Sequence, residues 1–159
     1  TPVVSRHDDR GSAARIGRIL NMAQSMTLDE LLETFSFFDD WEDKYRFIID
    51  LGKDLGGLPE SDKIDDHLIR GCQSQVWLTH TSDADGLTFS MDSDAHIVRG
   101  LIAVVLVIVD GRQASEIQKL DIEDVFGQLD LLAHLSVTRG NGLRAMVARI
   151  KEVATQASP

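Results

Sequence analysis

The chain has 159 residues, 43% of them hydrophobic and 6% aromatic, which suits one globular domain with a sizeable core. Its 16 Lys and Arg against 26 Asp and Glu leave a formal charge of −10, so phosphate backbones and anionic membrane surfaces are repelled and nucleic acid is a poor partner. A single cysteine, Cys72, excludes an internal disulfide, a CxxC redox pair and a four-cysteine metal site, and it argues for a cytoplasmic home over an oxidising compartment.

Residues 1–26 mix Ser, Gly, Arg and Asp with little apolar regularity and are expected to form a flexible extension, with a short helix only at 16–22. The folded domain is expected over 27–159. Thr27-Leu28-Asp29-Glu30 reads as a capping box, flanked by Met26 and Leu31 at hydrophobic-staple positions. Leu28, Leu31, Leu32, Phe35 and Phe38 then follow helical spacing. A second helix is expected after an Asp39 cap with Glu42 at its third position. It carries Trp41, Tyr45, Ile48 and Leu55 on one face and should stop at Gly56-Gly57-Leu58-Pro59.

Ile64 to Ile69 is expected as a short strand, Val76 to Thr81 as the next, and the alternation of Leu87, Phe89 and Met91 with Thr88 and Ser90 as a third. Asp83-Ala84-Asp85-Gly86 between the last two has hairpin-turn chemistry. The pairs Asp83/Asp85 and Asp92/Asp94 lack the spacing of a calcium loop and read as turn and cap residues.

Ile97 to Val109 reads as a helix buried on most sides, started by Ser93 and Asp94. Its apolar run Leu101–Val109 covers nine residues, where a membrane span needs roughly twenty, and no signal peptide is expected. One or two helices follow over Ser115 to Leu132, with Asp121 as a cap. Leu143, Met146, Val147, Ile150 and Ala154 mark a last amphipathic helix, approached through the loop Ser136 to Gly142 and capped by Asn141. The order predicts an α+β fold in which helices cover one face of a small antiparallel sheet of about three strands.

Chemistry centres on Gly71-Cys72-Gln73-Ser74-Gln75-Val76-Trp77 at the mouth of a strand. A lone Cys is either a buried, inert thiol or a reactive one, and reactivity needs something that favours the thiolate. Arg70, Arg99 and Arg139 are candidate cations, while Gln73, Ser74 and Gln75 supply donors. A Cys/His hydrolase would draw its base from His67, His80, His96 or His134, although no known protease cysteine motif surrounds Cys72. No HxxxH pair supports a metal site. Arg139-Gly140-Asn141-Gly142 is a helix start or an anion-holding loop. From the residues alone, a binding module with a structural cysteine and an independent thiol enzyme both stay open.

Several ordered motifs together resemble the SufE/CsdE sulfur-acceptor proteins of iron–sulfur cluster assembly. The resemblance runs from about Thr27 to the C-terminus. It rests on YRFIIDLGK at Tyr45 to Lys53, on Leu58-Pro59, and on GCQSQVW at Gly71 to Trp77. DSDAHIVRGLIAVV at Asp92 to Val105 and LSVTRGNGLRAMVARI at Leu135 to Ile150 complete it. The extension before Met26 has no counterpart in that pattern.

The resemblance implies a fold similar to that of IscU-type scaffolds and a cytoplasmic protein of the SUF system. It implies that Cys72 receives persulfide sulfur from a SufS-like or CsdA-like cysteine desulfurase, stimulates that enzyme, and passes the sulfur to the SufBCD scaffold. Pyridoxal phosphate (PLP) would belong to the desulfurase, and no cofactor to this chain. Gly71, Gln73, Asp94 and Arg139 would then lie at the sulfur site or the partner contact, and a homodimer is allowed.

Overall fold

Thr27 opens the first helix as its neighbours require. In the computed structural model, which describes residues 26–84 and 86–157, the Thr27 hydroxyl accepts the Glu30 N–H at 3.1 Å and the Glu30 carboxylate accepts the Thr27 N–H at 3.0 Å. This box starts α1 (Leu28–Ser36), which buries Leu31 and Phe35. Met26 packs against the core, while the extension expected before it, and Asp85 of the turn, lie outside the described residues.

α2 (Trp41–Lys53) begins one residue later than expected. Asp40, with extended backbone at φ −128° and ψ 165°, accepts the Asp43 N–H at 2.9 Å, so Asp40 rather than Asp39 is the cap. The helix also ends before its glycines, at Lys53. Gly57 serves another purpose: at φ +71° its Cα faces the Asp92 carboxylate, where a Cβ would fall 2.6 Å from Oδ2.

Period-two alternation produces the hairpin. β1 (Val76–Asp83) pairs antiparallel with β2 (Gly86–Ser93) from Val76–Ser93 to Asp83–Gly86. Leu87, Phe89 and Met91 are buried, while Thr88 and Ser90 face water. The strand expected over Ile64–Ile69 is reduced to a single bridge between Leu68 and Trp77, so the sheet has two strands among the described residues. Asp65–His67 instead turns as a short 3-10 helix, with His67 Nδ1 2.6 Å from the Asp62 carbonyl. Beyond β2, the segment after the next helix covers the outer edge: Leu87 N–H donates to the Arg112 carbonyl and Gly111 N–H to the Leu87 carbonyl, both at 2.9 Å.

α3 (His96–Val109) is the central helix. Val104, Val105, Ile108 and Val109 are fully buried, as its continuous apolar sequence demands, and it packs on α2 and on β2. The α2–α3 crossing is made close by two glycines. A Cβ on Gly100 would sit 2.4 Å from the Ile48 carbonyl oxygen, and one on Gly52 would sit 2.6 Å from the Gly100 nitrogen. α3 does not use the expected Asp94 cap. Ala95 precedes it, with its N–H donated to Ser93 Oγ at 3.2 Å.

α4 (Ala114–Lys119) and α5 (Ile122–Gln128) divide at Asp121, which accepts the Asp124 N–H at 3.0 Å as expected. α6 (Val137–Ala157) starts earlier than its apolar pattern suggests. Ser136 Oγ accepts the Arg139 N–H at 3.2 Å, so residues 139–142 form the first helical turns and Asn141 is not a cap. The fold is α+β, with the hairpin's apolar face under α3.

One buried carboxylate ties these parts together. Asp92, 3% exposed at the end of β2, accepts the Leu58 N–H at 3.1 Å and the Ser93 N–H at 2.8 Å, and it pairs with Arg99 and with Lys63. Arg99 also donates to the Leu55 carbonyl at 2.9 Å. The segment linking α2 to the cysteine loop is thereby held to the sheet and to α3.

Candidate functional site

Cys72 rides on the excursion 70–75, whose base is closed where the Ile69 N–H donates to the Val76 carbonyl at 2.8 Å. Gly71 turns the chain at φ +91°, a left-handed conformation that glycine adopts without steric cost. At the other end the Gln75 N–H donates to Asp94 Oδ1 at 3.1 Å, and the Asp94 N–H returns to the Gln75 carbonyl at 3.4 Å. Between these two fastenings the half-buried thiol points at α6 and donates to the Gly142 carbonyl, with sulfur and oxygen 3.6 Å apart. A Cβ on Gly142 would stand 3.7 Å from that sulfur, so a larger side chain would occupy the thiol's seat.

A cavity of about 100 Å³ opens beside the sulfur. Val76, Ile97, Val98, Leu101 and Met146 make its apolar floor. Gln73, Ser74, Thr138 and Arg139 contribute polar walls. Burial pushes the Cys72 thiol above its ordinary pKa, so the resting sulfur is the protonated one. It is sheltered and weakly nucleophilic at neutral pH.

Of the residues singled out from sequence, the structure brings Gln73 and Arg139 to the cavity. Gly71 supplies the turn, and Asp94 fastens the loop from a neighbouring groove it shares with Lys53 and His96. Arg99 is not a cation for the thiol, because Asp92 and the Leu55 carbonyl engage it. None of His67, His80, His96 and His134 lines the cavity, so the Cys/His arrangement finds no base among the described residues. Nor do the described residues hold a group of three or more His, Cys, Asp or Glu side chains placed for a metal ion.

Two contributors escaped sequence reasoning. In the sequence Gly142 reads only as part of the Gly140–Gly142 pair, although Gly142, Ala145 and Met146 follow the i, i+3, i+4 spacing of one helix face. Asp92 reads in the sequence as a turn or cap residue. Its burial depends on Arg99 and on the distant Leu58 N–H, and no local pattern announces that.

Fold and site together define a class: a single-thiol α+β domain that shelters its sulfur between a glycine-turned loop and a helix. A family model described as SufE, an Fe–S metabolism associated domain, matches residues 29–154. An uncharacterized SufE-like protein of Rhizobium meliloti (strain 1021) is 52% identical over 132 residues, covering 80% of this chain and 94% of that one. A second uncharacterized SufE-like protein, of Rhizobium etli, is 50% identical over 132 residues, covering 80% and 89%. A solution structure of a hypothetical protein from Thermus thermophilus shares the fold, with TM-score 0.67 at 14% identity over 83% of this chain and 98% of that one. The chain belongs to the SufE family, and membership supports a sulfur-transfer role in Fe–S metabolism. No helix among the described residues is long and apolar enough to cross a membrane.

Proposed function

We propose that Cys72 accepts sulfane sulfur from the active-site persulfide of a SufS-like or CsdA-like cysteine desulfurase in the cytoplasm, stimulates that enzyme, and delivers the sulfur to a SufBCD-type scaffold. The observation that carries this reading is the way the sulfur is stored. It is tucked under α6 with its S–H donated to the Gly142 carbonyl, on a loop that turns at Gly71 and is fastened at Gln75 by Asp94, above a base closed by the Ile69–Val76 bond.

Docking swings loop 70–75 outward about Gly71 and Gln75, breaking the contact with Gly142 and returning the thiol to water. Its pKa falls towards the ordinary value and the thiolate fraction rises. The thiolate attacks the terminal sulfur of the donor persulfide. A new S–S bond forms at Cys72, the donor's S–S bond breaks, and its electron pair leaves on the donor cysteine as thiolate. The Cys72 proton goes to solvent, and the exchange needs no external oxidant or reductant. Gln73, which travels with the loop, donates to the emerging anionic sulfur, and Arg139, which stays on the cavity wall, meets the persulfide anion when the loop closes again. This chain uses no cofactor of its own; PLP chemistry is completed in the desulfurase before sulfur arrives.

Incubation with a SufS-like desulfurase, PLP and cysteine, followed by intact-mass measurement, tests the reading. A one-sulfur adduct on Cys72 that is absent in Cys72→Ser, together with faster alanine formation, is the expected result. Neither adduct nor stimulation would sink it.

A further inference from the structure

Between the end of α2 at Lys53 and the start of β1 at Val76 the chain makes only two three-residue 3-10 turns, Glu60–Asp62 and Asp65–His67. This arm leads into the cysteine loop with no helix or extended ladder of its own to fix it. It is fixed instead on the hairpin. Trp77 and Asp92 are direct partners in the β1–β2 register, and both are buried. Alternation along the strands puts them on the face opposite Leu78 and Met91.

One side chain of the arm reaches both members of this pair. The Lys63 ammonium lies 3.3 Å from Asp92 Oδ2 and 5.6 Å from the centroid of the Trp77 ring. It also meets Glu60 Oε1 at 3.1 Å, but that carboxylate is exposed and the pair adds little. The Lys63 side chain is itself only 21% exposed. A cation held between a buried carboxylate and an aromatic face is worth more than one in open water.

Trp77 is also where the arm joins the sheet. Leu68 bridges to it, and the Ile69 N–H donates to the carbonyl of the preceding residue, Val76. Loop 70–75 springs from this junction. Asp92 keeps Arg99 and the N–H groups of Leu58 and Ser93 as partners whether or not Lys63 is present. What Lys63 adds is a link from the arm to β1 and β2 at once.

We infer that Lys63 is a positioning residue for sulfur transfer, fixing the base of the cysteine loop so that opening is confined to 70–75 and the thiol is presented from one place. This rests on the sulfur-acceptor reading and adds to it a residue that lies outside the cysteine cavity. Its effect on the reaction is one of orientation.

Lys63→Met keeps an unbranched side chain without the charge, and Lys63→Arg restores a cation able to meet a carboxylate and an aromatic ring. Amide exchange of the Ile69 N–H reads the base of the loop. It should be about fivefold faster in K63M, within about twofold of wild type in K63R, and unchanged in K119M, whose lysine ends α4. With a SufS-like desulfurase, well below the melting temperature, the maximal stimulated rate should fall about threefold in K63M at an unchanged half-saturating concentration, and K63R should restore it. A loss of global stability alone leaves the folded protein in excess and moves neither kinetic value.

Ile69 exchange in K63M at the wild-type rate, an undiminished maximal rate, or a loss that K63R does not repair overturns the inference. In each of these cases a one-sulfur adduct on wild-type Cys72 leaves sulfur acceptance standing. Absence of that adduct removes the reaction itself and the inference with it, which separates the two failures.

Discussion

The sulfur of Cys72 lies 3.6 Å from the carbonyl oxygen of Gly142, seventy positions further along the chain. The carbonyl presents the negative end of its dipole, so this contact and burial both favour S–H over thiolate. Alkylation by iodoacetamide should therefore show a pH midpoint above that of the urea-unfolded chain, and at neutral pH it should run at least about threefold slower. A thiol pKa raised by folding stabilises the fold below the unfolded thiol's pKa and loses that contribution as pH rises past it. The alkaline loss of stability should be smaller in Cys72→Ser, as read by urea titration between pH 7 and about 10.

Asp94 acts on the loop rather than on the sulfur. Asp94→Ala removes the acceptor of the Gln75 N–H, a bond worth about 1 kcal/mol. Loop opening should become about fivefold more populated, and iodoacetamide labelling of Cys72 should accelerate to match. The melting temperature should change little. Labelling as slow as in wild type would show that Gln75 is held by something else.

Asp92 is a different kind of carboxylate. Burial opposes its charge, but the Leu58 and Ser93 N–H groups together with Arg99 and Lys63 outweigh that cost and hold its pKa below the ordinary carboxylate value. Stability from this group is present above about pH 4 and is lost as pH falls through the lower folded value. Asp92→Ala should cost about 3 kcal/mol in urea unfolding and flatten the acid limb of the stability profile.

Glycines in the helices are not equivalent. Gly100→Ala puts a Cβ against the Ile48 backbone, forces α2 and α3 apart and should cost several kcal/mol or prevent folding. Gly127→Ala meets nothing within 4 Å in α5 and should raise stability by up to about 1 kcal/mol. Gly142→Val should preserve the helix but displace the thiol, so that Cys72 labels faster. Thermal melts of the three variants with parallel labelling of Cys72 decide all of these.

Local features were legible in the residues alone. The Thr27/Glu30 box, the Asp121 cap, the Leu87–Phe89–Met91 alternation and the buried run of α3 are each decided by groups within about one helical turn or one strand pair. Errors arose where neighbouring positions compete: Asp39 and Asp40 offer the same cap one residue apart, and backbone geometry selects the second. The glycines of Arg139–Gly142 suggest a helix start capped by Asn141 or an anion-holding loop, whereas the Ser136 hydroxyl starts α6 ahead of the run.

By itself, then, the sequence determined an α+β chain of the SufE family with its sole thiol at the mouth of a strand. Tertiary structure alone decided what that thiol meets. Seating Cys72 on the Gly142 carbonyl, pairing Arg99 with Asp92, and shrinking the strand expected over Ile64–Ile69 to one bridge all depend on groups far apart in sequence. Their energies arise only when packing brings them together and removes water, and no local spacing carries that information.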